Sequence, residues 1–150
     1  MRRTRTALGA LGALCALTLI VTGCSPKEAR MSPEETRDAL VALVHDSAAK
    51  LDATGWDESD VPSAMRCGDG VKWGYTYGAP IPDADYEADA QTVLDYWTSL
   101  GITARMDTSH DPVVFGEGGP VQSISFQTGP GSYAFSATST CAPGNPDDYR

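Results

Sequence analysis

Few stretches of this 150-residue chain carry side chains able to do chemistry. Ser109-His110-Asp111 holds the three residue types of a hydrolase relay, but as chain neighbours. Adjacent side chains cannot form a nucleophile–base–acid line with one another, so the segment reads as a turn. Asp83, Asp85 and Glu87 begin with the spacing of a calcium-binding EF-hand loop. That loop needs glycine at its sixth position and a bidentate glutamate at its twelfth, where this chain has Ala88 and Leu94. These acids fit the start of a helix instead, where they complement its dipole. His45 sits beside an apolar helical stripe without a partner near it in sequence, and reads as a boundary residue. The four thiols, Cys15, Cys24, Cys67 and Cys141, are a different matter, because what they do depends on the compartment they reach.

The N-terminus points to that compartment. Met1–Thr6 is basic, and Ala7 to Val21 is an apolar run of Ala, Leu, Ile and Gly with Cys15 and Thr18. The run is too short and too glycine-interrupted to span a bilayer, and small residues follow it, as at a cleavage site. Residues 1–23 therefore read as an export leader. Arg2-Arg3 lacks the hydrophobic residues that a twin-arginine signal places soon after the pair, which favours general secretion.

Val21-Thr22-Gly23-Cys24 closes the leader and resembles a bacterial lipobox. That pattern runs aliphatic, small or Thr/Val-like, Gly or Ala, then an obligatory Cys, and all four positions fit. The resemblance implies a diacylglyceryl group on the Cys24 thiol and cleavage between Gly23 and Cys24. In many bacteria the new amino group is acylated as well. Two or three acyl chains anchor durably where one would be marginal. A generic secretory site with a coincidental cysteine is the alternative. The implied location is the cell membrane, lipid-anchored on the extracytoplasmic side.

Removing residues 1–23 takes away Arg2, Arg3 and Arg5 but no acid. The net charge of −9 then becomes −12, with 8 Lys and Arg against 20 Asp and Glu. Such a chain is repelled by phosphates, which excludes nucleic acid as a partner. Cys15 leaves with the leader and Cys24 carries lipid. Cys67 and Cys141 remain as one pair in an oxidising space, which predicts a disulfide; two free buried thiols are the alternative.

The elements follow from periodicity. Residues 24–31 are the lipidated terminus and a short polar tether that keeps the domain near the bilayer. Ser32-Pro33-Glu34-Glu35 is a capping box with proline at the first helical position. Leu40, Leu43, Val44, Ser47, Ala48 and Leu51 then recur at helical spacing to near Asp52. Residues 53–70 read as a long connection without firm structure, anchored by Trp56. Val71, Trp73, Tyr75 and Tyr77 alternate with polar residues and glycine as a half-buried strand. Its aromatic face is either core or a ligand platform. After Pro80 and Pro82, Asp83 caps a second helix to Leu100, with Tyr86, Ala90, Val93, Leu94, Trp97 and Leu100 inward and Gly101 as the stop. Strands are predicted over 102–107, 121–128 and 133–141, with 113–115 as a candidate short strand not counted among them and a frayed polar tail over 144–150.

The order α-β-α-β-β-β predicts one α+β domain over 32–143, with two amphipathic helices on one face of a mainly antiparallel sheet. The β-α-β unit from Val71 to Asp107 is expected to set its two strands parallel. The layout resembles the small lipoproteins of actinobacteria, the mycobacterial LppA-type among them, which implies a location and no defined chemistry.

Three functions are compatible with these residues. The first is a non-enzymatic binding or interaction domain, requiring no cofactor and no metal, with a protein partner or a small apolar ligand. The second is a carrier of lipid or another small apolar molecule in a cavity lined by Trp73, Tyr75, Trp97 and Phe126. The third is an enzyme using dispersed residues such as His45 and His110. The anchoring expectation is directly testable. Cys24→Ser abolishes metabolic labelling with a fatty acid and releases the protein from the membrane fraction; full labelling of that variant would refute it.

Overall fold

The computed structural model describes residues 30–80 and 84–149. The leader and Cys24 lie outside that range. Elements run α1 (Pro33–Ala48), β1 (Ser63–Cys67), β2 (Gly70–Pro80), α2 (Tyr86–Ser99), β3 (Thr103–Asp107), β4 (Val113–Gly118), β5 (Val121–Gly129), β6 (Ser132–Ser139) and β7 (Ala142–Pro143). A 3-10 turn, Pro146–Tyr149, follows. This is an α+β fold in which two helices accompany a seven-stranded antiparallel sheet of order β1-β2-β6-β5-β4-β3, with β7 paired to β2.

The first helix starts as its residues dictate. Ser32 Oγ accepts from the Glu35 amide, and the Glu35 carboxylate accepts from the Ser32 amide at 2.7 Å. The helix ends at Ala48, short of the expected Asp52, although Leu51 is still buried. The second helix is capped by Asp85, whose side chain accepts from the Ala88 amide. Asp83, the expected cap, lies outside the described residues. At the other end Leu100 is 51% exposed and leaves the expected stripe, while Gly101 takes the left-handed φ of +77° that stops the helix.

Two strands escaped the sequence reading. One is β1, whose Ser63-Ala64-Met65-Arg66-Cys67 has no strong apolar alternation because it is an edge strand. It forms a hairpin with β2 through Gly68-Asp69, Gly68 having φ +57°. The other is β7, just ahead of the expected tail, and within that tail the 3-10 turn is docked, not frayed: Tyr149 lies edge-on to Trp73 and its hydroxyl donates to Glu34 at 2.9 Å. The expected parallel relation of the strands flanking α2 holds only in direction. Four antiparallel steps separate β2 from β3, so they run the same way with β6, β5 and β4 between them.

The core lies between the helices and one face of the sheet. Trp73, Tyr75, Tyr77 and Ala79 of β2 share that face with Tyr133, Phe135 and Ala137 of β6. Trp97 descends from α2 onto Phe135, and its Nε1 donates to Ser47 Oγ of α1 at 2.9 Å. Ser47 Oγ donates in turn to the Leu43 carbonyl. Such buried bonds matter because an orphaned donor there costs about 1–3 kcal/mol. Gly116 lets Trp97 approach the sheet: a Cβ at that position would meet Trp97, Ile124 and Ile102 at 3.0–3.1 Å.

The disulfide closes the sheet's far corner. Between the pairs Gly74↔Thr138 and Val71↔Ala142 the β6–β7 side carries one extra residue. There the Trp73 amide donates to Ser139 Oγ in place of a main-chain carbonyl. Cys141 sits in this irregularity, exposed and beyond the end of β6, which stops at Ser139 and not at the expected residue 141. It is bonded to Cys67 at the hairpin end, with a Cα–Cα distance of 6.0 Å. Gly70 is needed where the chains cross, since a Cβ would stand 2.4 Å from the Ala142 carbonyl oxygen. The bridge spans 74 positions of sequence, a loop whose closure entropy is worth up to about 4 kcal/mol. Replacing both cysteines with alanine should lower unfolding free energy by about 2–4 kcal/mol in urea denaturation. A loss below about 1 kcal/mol would show that β7 docks without the bridge.

Candidate functional site

The residues singled out by sequence do not converge. Ser109, His110 and Asp111 are exposed on the β3–β4 turn, where the Ser109 amide and hydroxyl both donate to Asp107. Among the described residues no three His, Cys, Asp or Glu side chains gather to hold a metal. No helix there is long and apolar enough to cross a membrane. Trp73, Tyr75, Trp97 and Phe126, the expected cavity lining, are at most 6% exposed and packed into the core. Phe126 stacks on Phe135 at 4.7 Å between centroids, so these rings fill space rather than enclose it.

His45 has partners that sequence distance concealed. Its Nε2 is 2.9 Å from Tyr75 Oη, thirty positions away, and its ring stacks on Tyr77 at 4.4 Å. Trp56 also stacks on Tyr77, at 5.1 Å. The Tyr77 hydroxyl donates to Glu58, and the Asp57 amide donates to the Gly78 carbonyl at 2.8 Å. The connection over 53–62 is thereby pinned along β2. The cluster is a structural clasp in which the Tyr75 and Tyr77 hydroxyls and the Trp56 indole N–H are all engaged.

Among the described residues no helix lies over the opposite face of the sheet. In an antiparallel sheet this is the ordinary consequence of period-two alternation. Register turns its side chains into rows that cross the strands. Arg105, Phe115, Ser125, Ser136 and Thr76 form one row, from β3 to β2. Ser123, Thr138, Gly74 and Ser63 form a second. Together they floor an open hollow of about 570 Å³, with Met65 and the Asp60–Val61 segment rising at one side and Phe115 at the other. That volume is in the range of small-molecule sites. The hydroxyls of Thr76, Ser123, Ser136 and Thr138 have no hydrogen-bond partner within the described residues.

Phe115 is a ridge. It is 38% exposed and also lines a second hollow of about 290 Å³ with Thr103, Arg105 and Glu117. The Arg105 guanidinium lies 4.5 Å from its ring centroid and borders only that smaller hollow. Charge therefore stands at the margins of the face, with Arg105 at one end and Asp60 at the other, and the floor between them is neutral.

With this geometry in hand, comparison with known proteins adds a fold relative. A solved structure of a DUF4853 family protein from Actinomyces odontolyticus is similar, with a TM-score of 0.54 over 78% of this chain and 72% of that one. The likeness is one of fold. The two sequences are 20% identical. No family model matches the chain, and no curated protein matches it.

The tyrosines of the covered face give a test of how tightly it is closed. Tyr77 and Tyr133 are held well above the ordinary tyrosine range, first by burial and then by hydrogen bonds to Glu58 and Asp89 that favour the protonated hydroxyl. An unfolded tyrosine ionises near pH 10. The folded state therefore keeps protons that the unfolded state releases. Their stabilisation is full below about pH 10 and is lost as pH rises toward the folded values. In an alkaline titration followed by tyrosinate absorbance, Tyr77 and Tyr133 should ionise last of the six tyrosines, and Tyr77→Phe should remove one late-ionising group. Six groups titrating together near pH 10 would show that the face is open to water.

Proposed function

We propose that this protein is a lipid-anchored, extracytoplasmic binding module that meets its ligand or partner through the open face of the sheet, without catalysis of its own. The observation that carries the reading is the pair of hydroxyl rows flooring the 570 Å³ hollow, four of whose hydroxyls have no protein partner within the described residues. The leader, the lipobox resemblance ending at Cys24 and the Cys67–Cys141 bridge support an anchored domain outside the cytoplasm. Against an enzyme, Ser109, His110 and Asp111 sit exposed on a turn, and His45 is engaged with Tyr75. Against an internal carrier, the rings that would line a cavity are packed on one another.

A domain of this kind belongs close to the envelope surface, where the tether of residues 24–31 would hold it, and acid-rich enough to stay soluble there. The test is site-specific photocrosslinking in intact cells, with a photoreactive residue placed at Thr76 or Ser125 on the open face, or at Thr92 or Thr98 on the outer side of α2. Adducts should form from the first two positions and not from the second two. Adducts from the helix positions alone would transfer the binding surface to the other side of the domain.

A further inference from the structure

We infer that the hollow binds an extended, neutral glycan lying across the strands, with one sugar ring packed against Phe115; this rests on the open face being the binding surface. Four observations lead there. The floor is built from hydroxyls and glycine, with the charged Asp60 and Arg105 confined to its margins. A cationic ligand would find one carboxylate there, and an anionic one would approach a chain of net charge −9. A neutral ligand meets neither obstacle. Each serine or threonine hydroxyl both donates and accepts, so it answers a sugar hydroxyl in either orientation without burying an unpaired group.

Spacing supplies the second observation. Ser125, Ser136 and Thr76 stand on three adjacent strands, as do Ser123, Thr138 and Gly74. Adjacent strands lie ~4.8 Å apart, so a chain crossing them meets a fresh polar position at each strand. Linked pyranose rings repeat on the same scale.

Third, the exposed aromatic is in the right place. Phe115 ends the first hydroxyl row. Arg105 occupies the ring on the side of the smaller hollow, which leaves the larger one bounded by ring surface. The negative face of an aromatic ring attracts the C–H edge of a sugar, which is apolar on that side and hydroxylated around its rim. Fourth, the hollow is open along its length rather than enclosed, as a polymer requires. A peptide is the less suitable occupant. Peptides dock on sheets chiefly through an unpaired strand edge, whereas β2, β6, β5 and β4 have both edges paired over this floor.

The experiment uses the full-length lipidated protein in detergent micelles. Maltopentaose, cellopentaose and mannopentaose serve as neutral probes, with an alginate oligomer as anionic probe and a Gly/Ser peptide as polypeptide probe. Binding is read by calorimetry and by amide shift mapping. At least one neutral oligosaccharide should bind saturably, shift Gly74, Ser125 and Ser136, and lose about tenfold in affinity in Phe115→Ala. Ser136→Val should weaken it while leaving the spectrum of the core unchanged. Phe115→Leu, which keeps bulk without the ring, separates stacking from folding and should bind as weakly as the alanine variant. Failure of all three neutral probes, or binding indifferent to Phe115, overturns the inference. Should the peptide alone bind the open face, the glycan falls and the proposed binding surface stands. Should a sugar bind with shifts only on the helices, both fall.

Discussion

The register of β6 on β2 is the constraint on which the rest depends. Tyr77 opposite Phe135 sets ring against ring at the centre of one face, and Tyr75 opposite Ala137 and Ala79 opposite Tyr133 set large against small on either side. A slip of β6 by one residue would turn Tyr133, Phe135 and Ala137 to solvent and bring Ser136 and Thr138 beneath the helices. Two aromatic side chains, Tyr133 and Phe135, would then lose cover, and buried aromatic truncations alone cost about 3–5 kcal/mol each. The alternation thus specifies both faces at once. The hydroxyl grid is the obligatory complement of the aromatic layer, whatever further use is made of it.

The aromatic layer also explains why the connections are ordered. Its rings are amphipathic and bring polar tips to the edge of the core. Tyr75 reaches His45 on α1, Tyr77 reaches Glu58 in the 53–62 connection, and Tyr133 reaches Asp89 on α2. Tyr86 accepts from the Gly131 amide in the β5–β6 turn, and Trp73 Nε1 donates to the Pro33 carbonyl at the head of α1. Together these bonds fasten α1, the 53–62 connection and α2 to the sheet. Among the described residues no buried side-chain nitrogen or oxygen lacks a partner, which a layer so rich in Tyr and Trp achieves only because its polar ends are distributed in this way.

Local patterns were legible in the sequence where one residue's role is decided by its near neighbours. The Ser32–Glu35 box placed the start of α1, and the alternation of Trp73, Tyr75 and Tyr77 placed β2 and its buried face. Edges were illegible for a physical reason. β1 is half-exposed, so its apolar signal is diluted, and β7 is two residues long. The Gly68-Asp69 pair ahead of the strongest strand was the available hint of a hairpin. The start of α2 moved because capping chooses among several adjacent acids, here Asp85. As for the site, Thr76 and Gly74 were visible as the polar partners of the aromatic strand. Their alignment with Ser136, Thr138 and Ser125 was not, because rows across strands exist only once register is fixed. His45 is the half-buried boundary residue its position implied, but its partner was hidden for the same reason, lying thirty positions away.

The fold-back of β7 and the 3-10 turn has a mechanical consequence. Tyr149 meets Glu34 and Trp73, and Trp73 bonds to Pro33, so the two ends of the described domain are stitched together at the head of α1. Tension arriving along the chain from residue 30 enters there. It passes from α1 into β2 and β6, the strands that α1 packs against, and is shared across the sheet's ladder instead of peeling an outer strand. An object tugging on the open face would strain those same central strands from the other side. A pull entering at the head of α1 is thus carried by central strands, and the outer strand β3 lies off that path.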